Sequence, residues 1–310
     1  MPGFKRLTVA LALTALATGA AACSPDSGSS DNNSSGSGAS VTSATGSSAS
    51  AVATGTTSTA AASCTPATMK THSKSVFTFG SDQPVYEPWY VKNTPTNGQG
   101  FESAVAYAVA AKLGYSRDQV KWTRVTFNAV IAPGPKKFDA DLDEVSITAA
   151  RKKSIDFSSG YYDVTQAVIA IKGSKAAAVH TVAGLRGLKL GAQVGTTSYT
   201  AITDVIRPSQ KPSVFNSNDD AKAALKNGQI AALVVDLPTA FYITSAQLDN
   251  GVIVGQLPTT GNPEQFGMVL DKGSSLTACV TQAVDALRKA GTLTRLADKW
   301  LSQQGAPKLS

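Results

Sequence analysis

The chain has few of the residues from which metal sites and nucleophilic sites are built. Its 310 residues include two histidines, His72 and His180, and three cysteines. No cysteine–histidine cluster has the spacing of a zinc site. There is no Walker loop for nucleotide phosphates and no Gly-x-Ser-x-Gly turn that would present a catalytic serine. We therefore expect neither a bound metal nor a cofactor.

Basic runs with interleaved aromatic residues are also missing. The formal net charge is +7, and loss of Lys5 and Arg6 with a leader peptide would leave about +5. A mildly basic chain without a patch of cationic and aromatic side chains does not indicate nucleic acid as a partner.

The first 22 residues predict an export signal. Lys5 and Arg6 precede the apolar run LTVALALTALATGAAA, which is shorter than a typical membrane span. Cys23 follows directly, in the position of the lipid-carrying cysteine of bacterial lipoproteins, although Ala20 stands where leucine is usual. We predict that Cys23 becomes a lipidated N-terminus. The alternative is ordinary cleavage with an incidental cysteine.

Residues 24–63 are almost all serine, glycine, threonine and alanine, without one aromatic residue. Such a composition cannot bury enough apolar surface to offset the entropy lost on ordering. We predict a disordered tether, which would span roughly 35 Å as a coil. With a lipid on Cys23, the protein would be exported and anchored to the outer face of a bacterial cell membrane.

The two remaining cysteines, Cys64 and Cys279, lie near opposite ends of the rest of the chain. An even pair of cysteines in an exported protein predicts a disulfide bond. Two free thiols are the alternative.

Residues 64–310 are numerous enough for one large or two modest α/β domains. Strand and helix patterns alternate along them. For example, Phe101, Val105, Val109 and Leu113 recur every four residues before Gly114, which predicts a helix with an apolar stripe. Strands interleaved with helices predict mostly parallel sheets covered on both faces, with a ligand site at the carboxyl ends of the strands.

Several polar residues follow predicted strands. Thr196 and Thr197 open a helix, where free backbone N–H groups favour an anion, but they could equally be a plain helix cap. Asp236 follows the strand AALVV and Asp82 follows SVFTFGS. Each of these aspartates is a candidate ligand residue or a simple turn residue.

Three further residues have two interpretations each. Tyr86 and Trp89, in VYEPWY, are either core aromatics or a cover over a ligand. Glu144, in DADLDEVSIT, lies among strand-like residues, and an unpaired buried carboxylate is costly. Glu144 is therefore exposed or faces a positive charge.

Arg151 begins the basic triplet Arg151–Lys153 in SITAARKKSIDF. The triplet could be a solvated helix start, or Arg151 could bind a carboxylate. The wider pattern decides between them. FTFGSDQPVYEPW, GQGFESAVAYAVAAKLG, DADLDEVSITAARKKSIDFSSGYY, LKLGAQVGTTSY, NGQIAALVVD and EQFGMVLDKGSSL follow one another in an order that resembles the family 3 solute-binding proteins, the polar amino-acid receptors of bacterial ABC importers. The resemblance covers nearly all of residues 75–303.

The resemblance implies an α/β, two-lobed periplasmic-binding-protein fold of type II, with two crossover strands and a ligand cleft between the lobes. The first lobe would comprise residues 64–170 and 260–310, and the second lobe residues 171–259. Hinge closure would trap a free amino acid and present it to a membrane permease. We expect a monomer without enzymatic activity.

The family also implies roles for individual residues. Arg151 would bind the ligand α-carboxylate in a bidentate fork, assisted by Ser146 and by the N–H groups at Thr196 and Thr197. Asp236 would pair with the α-ammonium group. The remaining positions would contact the ligand side chain or form an aromatic wall: Asp82, Phe127 and Gln193 in the first role, Tyr86 and Trp89 in the second.

Two positions depart from the family pattern. Tyr86 comes four residues after Asp82, where three is common, and Glu144 stands where glycine or serine is common. A third carboxylate beside Asp82 and Asp236 favours a cationic ligand, because the alternative is unpaired buried charge. We predict a basic amino acid such as arginine or lysine, with glutamine as the neutral alternative and glutamate least suited.

Three other functions are consistent with parts of the chain. A cyclic-acid dehydratase on the same scaffold would need a general acid or base, for which Glu144 is available. A sensor would bind the ligand without a transporter. An inert envelope spacer fits residues 24–63 but not the cleft residues.

Overall fold

The computed structural model describes residues 64–259, 261–301 and 306–310. The predicted signal peptide, Cys23 and the tether lie outside the described residues, so their predictions stay open. None of the helices in these three ranges is sufficiently long and apolar to cross a membrane.

The first lobe is built on a five-stranded sheet with the strand order β2-β1-β3-β10-β4. Its strands and helices are β1 (Phe77–Ser81), α1 (Phe101–Lys112), β2 (Val120–Arg124), α2 (Phe127–Ile131), β3 (Ala140–Asp141), β4 (Ile155–Val164), β10 (Glu264–Asp271), α7 (Thr277–Lys289) and α8 (Thr292–Trp300). Helix α1 confirms the predicted stripe, because Phe101, Val105, Val109 and Leu113 are all buried. Gly114 ends it at a positive φ of 86°, a conformation that glycine adopts without strain.

The second lobe is built on a sheet with the strand order β7-β6-β8-β5-β9. Its elements are β5 (Gln166–Ile171), α3 (Val182–Leu185), β6 (Leu190–Gln193), α4 (Thr197–Ala201), β7 (Ser213–Phe215), α5 (Asn218–Lys226), β8 (Ala232–Asp236), α6 (Leu237–Tyr242) and β9 (Gly251–Gln256). Helices α4 and α6 each continue as one turn of π-helix. Apolar clusters lie on both faces of this sheet, as expected for an α/β layer architecture.

The chain passes from one sheet to the other between β4 and β5 and returns between β9 and β10. The two-lobed architecture is therefore as predicted. The sheet boundary differs from the predicted residue 170, because β5 begins at Gln166 and already pairs with β8 and β9. The prediction of mostly parallel sheets was also too simple. The strands at the crossovers run antiparallel to their neighbours: β10 to β3 and β4, and β5 to β8 and β9.

The C-terminal residues lie on the second lobe rather than the first. Helix α8 packs in the first lobe, where Leu301 is buried. Lys308, by contrast, forms a bridge with Gln256 of β9, and Leu309 is buried in the core of the second lobe. The predicted assignment of residues 260–310 to the first lobe is thus wrong for residues 306–310. A five-residue segment with one apolar anchor has no periodicity that could have revealed its position.

Cys64 and Cys279 form a disulfide bond, with their Cα atoms 5.4 Å apart. The bond joins the first described residue to α7, whose inner face is part of the first-lobe core. The predicted pairing is therefore present, and it fastens Cys64 to the first lobe.

Candidate functional site

A cavity of about 410 Å³ lies between the two lobes, at the carboxyl ends of β1, β6 and β8. This volume is within the range of small-molecule sites. Ten predicted site residues line it: Asp82, Tyr86, Phe127, Glu144, Ser146, Arg151, Gln193, Thr196, Thr197 and Asp236. The strand ends therefore bring these residues to one place, although they span more than 150 positions of sequence.

Trp89 was predicted to form a wall of the pocket, and this prediction is wrong. Its side chain is only 1% exposed and packs edge-on against Phe101, Tyr162 and Phe266. Its indole Nε1–H donates to Thr239 Oγ1 of the second lobe at 2.9 Å. Trp89 is thus a core residue that also contacts the opposite lobe, because three aromatic partners from distant segments enclose it.

Arg151 is the only arginine or lysine among the residues that line this cavity. Its Nη1 donates to the carbonyl oxygen of Ser146 at 2.7 Å, and its Nη2 donates to that of Gly195 at 2.9 Å. The second bond crosses between the lobes. Two of the five guanidinium N–H groups are used in this way, so three can still donate to a ligand. Burial lowers the pKa of Arg151, and the negative charges of Glu264 and Asp236 oppose that effect.

The guanidinium carbon of Arg151 lies 5.4 Å from the centre of the Phe127 ring. This is a cation–π distance. Phe127 opens α2 and is nearly buried. The ring therefore limits the orientations of the guanidinium group, and the hydrogen bonds to the carbonyl oxygens of Ser146 and Gly195 fix its position in the cleft.

Asp236 ends β8, and its Oδ1 accepts from Gln166 Nε2 at 2.6 Å. The same nitrogen of Gln166 lies 3.0 Å from Glu264 Oε2. Burial raises the pKa of Asp236 well above its ordinary value, and the nearby Glu264 carboxylate adds to the rise. Gln166 begins β5 and Glu264 begins β10, each directly after a crossover, so the hinge positions the two side chains beside Asp236.

Glu264 also accepts from two hydroxyl groups that we expected to face the ligand. Thr197 Oγ1 donates to Glu264 Oε1 at 2.5 Å, and Ser146 Oγ donates to the same oxygen. The two hydroxyl oxygens lie 3.2 Å apart across the cleft. Their hydrogens are directed towards Glu264, which leaves the two oxygens as acceptors.

Thr196 and Gln193 lie where β6 turns into α4. Thr196 Oγ1 accepts from the backbone N–H of Tyr199 at 3.2 Å and donates to the carbonyl oxygen of Gln193 at 2.7 Å. Thr196 is therefore a helix cap that also lines the cavity. Gln193 is nearly buried and lines it as well.

Asp82 lies at the end of β1, and its carboxylate accepts from the backbone N–H of Gln83 at 2.6 Å. Burial raises its pKa, and the positive charge of Arg124 is a weaker, opposing effect. Arg124 binds backbone carbonyl oxygens of Asp82 and Asn93 rather than the carboxylate. The Asp82 carboxylate has no ion-pair partner within the described residues.

Tyr86 closes the outer side of the cavity. Its hydroxyl donates to Asp219 Oδ2 of the second lobe, and Asp219 also pairs with Lys222 at 2.7 Å. The Tyr86 ring lies 6.5 Å from that of Tyr242, also on the second lobe. Burial and the bond to Asp219 raise the pKa of the Tyr86 hydroxyl. This side chain therefore joins the lobes across the mouth of the cleft.

Glu144 lines the cavity with its backbone in the left-handed region, at φ 53°. A residue with a Cβ atom adopts this conformation at a cost of about 1–2 kcal/mol. Its backbone N–H donates to Glu102 Oε1 at 2.8 Å, and its Oε2 accepts from Thr239 Oγ1 at 2.7 Å. Burial raises the pKa of Glu144 well above its ordinary value, reinforced by the charges of Glu102 and Asp236.

Beneath Glu144 lie further acids that we did not predict. Asp143 lines the cavity, while Asp141 and Glu102 are fully buried behind it. Burial raises the pKa of Glu102 to about 7 and the pKa values of Asp141 and Asp143 well above their ordinary range. Even so, no group of histidine, cysteine and acidic side chains in the described part of the chain could hold a metal ion.

Sequence reasoning thus missed Asp143, Gln166, Asp219, Thr239 and Glu264. Asp143 could have been found, because it shares the motif DADLDE with Glu144. The others come from the second lobe or the crossovers, and their positions depend on how the lobes meet. No local pattern marks them.

Comparison with known proteins gives a consistent result. Residues 77–303 match the model of the family described as bacterial extracellular solute-binding proteins, family 3. The L-arginine-binding protein of Pseudomonas aeruginosa is 29% identical over 242 residues, which are 74% of this chain and 92% of that protein. The ABC transporter glutamine-binding protein GlnH of Bacillus subtilis is 28% identical over 78% of this chain and 86% of its own length.

Solved structures agree with this likeness. An ancestral arginine-binding protein bound to glutamine matches with a TM-score of 0.62 at 29% identity. The match covers 75% of this chain and all of that one.

Proposed function

We propose, from the premise that this chain belongs to the bacterial extracellular solute-binding proteins of family 3, that it captures a free amino acid with a cationic side chain. It then delivers this ligand to the permease of an ABC transporter. Its relatives include an L-arginine-binding protein and a glutamine-binding protein of an ABC transporter. Both support an amino acid as the ligand, and the first supports a cationic side chain.

The charge balance of the cleft cavity carries the proposal. Arg151 is its one cationic lining residue, whereas five carboxylates line it: Asp82, Asp143, Glu144, Asp219 and Asp236. Only Asp219 has an ion-pair partner in the described residues. Burying several acids around one guanidinium group is costly unless cations arrive with the ligand. A ligand with two positive groups and one carboxylate would supply cations for the acids and an anion for Arg151.

Two residues would hold the amino-acid backbone of the ligand. Arg151 has three free N–H groups and presents them as a planar fork, which suits the α-carboxylate. Asp236, on the opposite lobe, would accept from the α-ammonium group. Because these residues come from different lobes, binding the two ends of one small molecule would favour the closed arrangement.

The remaining lining residues would contact the side chain of the ligand. Asp82 would pair with a distal cation, and Phe127 and Gln193 would supply an apolar face and an amide. We expect arginine or lysine to bind most tightly, and glutamine more weakly because it leaves the acids unpaired. Glutamate would add a further negative charge and should bind least.

Calorimetric titration tests the proposal. The full chain in mild detergent is first unfolded and refolded, which removes any ligand retained during purification, and is then titrated with each natural amino acid. We expect dissociation constants of about 1 μM or lower for arginine or lysine, which corresponds to about −8 kcal/mol, and loss of that binding in Arg151→Ala. If no amino acid produces heat, the amino-acid receptor is refuted, and dehydration of cyclic acids should be assayed next.

Genomic context and activity assays separate the related functions. Genes for a permease and an ATPase beside this gene would support transport, whereas their absence would favour a sensor. We propose that the chain acts as a binding protein rather than an enzyme, because Arg151 and Asp236 together provide partners for both ends of an amino-acid backbone. Turnover of a cyclic acid that is abolished in Glu144→Gln would overturn this.

We also propose export and lipid attachment at Cys23, with residues 24–63 as a tether to the outer face of the membrane and a monomeric binding unit. Membrane fractionation of cells that express Cys23→Ala tests the anchor. The variant should leave the membrane fraction, and unchanged fractionation would contradict lipidation. Sedimentation of the purified chain measures its mass directly.

A further inference from the structure

Asp143 and Glu144 form an acidic pair on the first-lobe side of the cleft cavity, separate from Asp236 on the second lobe. Asp143 is 8% exposed, and its Oδ2 atom has no hydrogen-bond partner among the described residues. The ion pairs of the described residues include neither Asp143 nor Glu144. A buried, unpartnered carboxylate oxygen beside an empty volume indicates a positively charged partner that the chain itself does not supply.

Two side chains, Trp89 and Thr239, fix the orientation of Glu144, and we call the three residues together the closure relay. The indole N–H of Trp89 can only donate, so the oxygen of Thr239 is the acceptor of that bond, at 2.9 Å. The single hydroxyl hydrogen of Thr239 is then available to Glu144 Oε2, which lies at 2.7 Å. Glu144 is therefore held as an acceptor, and its other carboxyl oxygen is available to a ligand.

The closure relay joins the two lobes. Trp89 and Glu144 belong to the first lobe, and Thr239 lies on α6 of the second lobe. Opening of the cleft at the hinge would separate Thr239 from both partners. The carboxyl group of Glu144 is thus fixed in the cavity only while the lobes are closed.

We propose that Asp143 and Glu144, together with Asp82, are a specificity-determining subsite for the side-chain cation of the ligand, and that Thr239 and Trp89 are positioning residues which complete this subsite on closure. The proposal rests on the proposed function, since it names the part of the amino-acid site that distinguishes a cationic from a neutral side chain. A cationic ligand favours the ionised form of Glu144, which is a stronger hydrogen-bond acceptor for Thr239 than the neutral form. The charge of the ligand therefore strengthens a hydrogen bond that joins the closed lobes.

The surroundings of the pair predict how binding depends on pH. The titratable groups that face it from the packed elements are Asp82, Tyr90, Glu102, Asp141, Tyr161 and Asp236, and Arg151 lines the same cavity. Burial and these mainly acidic neighbours raise the pKa values of Asp143 and Glu144. A cationic side chain favours the ionised carboxylates, so we expect the affinity for such a ligand to increase more steeply with pH than the affinity for a ligand with a neutral side chain.

The test compares arginine with citrulline, which has the same shape but a neutral side chain, on the full chain in mild detergent. Thr239→Val removes the hydroxyl group while keeping the volume, and Thr239→Ser restores the hydroxyl group as the matched control. We expect the valine variant to bind arginine about 10-fold more weakly, the scale of one charge-assisted hydrogen bond, and citrulline within about threefold of wild type. The serine variant should recover most of the arginine affinity.

A second readout is the number of protons released, measured by calorimetry in two buffers with different ionisation enthalpies. Both ligands carry an α-ammonium group that reaches Asp236, so wild type should release more protons with arginine than with citrulline, and Asp143→Asn combined with Glu144→Gln should remove this difference. Equal losses of affinity for arginine and citrulline in Thr239→Val, or equal proton release with the two ligands in wild type, would overturn the subsite.

The outcomes also separate this inference from the proposed function. Arg151-dependent binding of a neutral amino acid, with arginine excluded, would refute the subsite and leave the amino-acid receptor intact. Agmatine lacks the carboxylate of arginine. If agmatine bound as tightly as arginine, the subsite would stand and the role of Arg151 in binding the α-carboxylate would be refuted. If no amino acid binds, both fall.

Discussion

Removal of the Cys64–Cys279 disulfide should destabilise the first lobe and leave ligand affinity unchanged. The perturbation is the double substitution Cys64→Ala and Cys279→Ala, which avoids leaving one free thiol. The bond closes a loop of 215 residues. Cys279 is buried in α7 against the first-lobe core, and neither cysteine lines the cleft cavity.

The magnitude follows from the length of the loop. In the chain-entropy account, a cross-link over 215 residues stabilises the folded state by about 5 kcal/mol, and measured values are commonly about 2–4 kcal/mol. We therefore expect the free energy of unfolding to fall by about 2–5 kcal/mol. This is a large fraction of the stability of an ordinary domain.

The tryptophans provide an assay that is specific to the first lobe. The chain has three, and Trp89, Trp122 and Trp300 all lie in or against the first-lobe core. Their fluorescence during guanidinium denaturation should show the transition of the double variant at lower denaturant concentration. An unchanged transition would refute the entropic reasoning. An arginine affinity altered by more than about threefold, well over half a kcal/mol, would refute the separation of the disulfide from the binding site.

Three more predictions follow from the described contacts. Tyr86→Phe removes the bond to Asp219 across the mouth of the cleft, so stopped-flow dissociation of the ligand should accelerate about 3- to 10-fold, the scale of one hydrogen bond, and an unchanged rate would refute this closing role. Glu102→Gln keeps an acceptor for the N–H of Glu144 but does not titrate. Burial raises the Glu102 pKa to about 7, so the neutral form of Glu102 stabilises the fold below about pH 4, and about 3 kcal/mol of the free energy of unfolding is lost as the pH rises through 7. Denaturation measured from pH 5 to 8 should show this loss in wild type and in the exposed control Asp249→Asn, and a smaller loss in Glu102→Gln. Leu309→Ala leaves a cavity in the second-lobe core, so it should lower the free energy of unfolding of that lobe by about 2–5 kcal/mol. The tryptophan fluorescence, which reports on the first lobe, should not be the first signal to change during denaturation.

Local patterns predicted much of this molecule. The four-residue apolar spacing fixes the register of α1, and polar residues after β1, β6 and β8 predict where the cleft lies. The even pair of cysteines predicts the disulfide. The first two of these inferences depend on residues that are close in sequence. The third depends on Cys64 and Cys279 being the two cysteines left to pair once Cys23 is assigned to the lipid. The family resemblance then indicated which side chains would meet in the cleft.

Features that depend on the meeting of two lobes could not be predicted in this way. Trp89 and Tyr86 are three residues apart in the same segment, yet one is enclosed by aromatic rings from α1, β4 and β10 and the other crosses the cleft mouth. Glu264 and Gln166 direct the hydroxyl groups of Ser146 and Thr197 because the hinge places them there. Their hydrogen bonds arise only after both sheets have formed.

The positions of the two ends of the described chain have a practical consequence. Cys64 is fastened to the first lobe through α7, whereas Lys308 and Leu309 are fastened to β9 and the core of the second lobe. A fluorescent donor placed just before Cys64 and an acceptor fused after Ser310 would therefore be attached to different lobes. Energy transfer between them would change whenever the cleft opened or closed, so the chain has the end geometry of a genetically encodable sensor without any internal insertion.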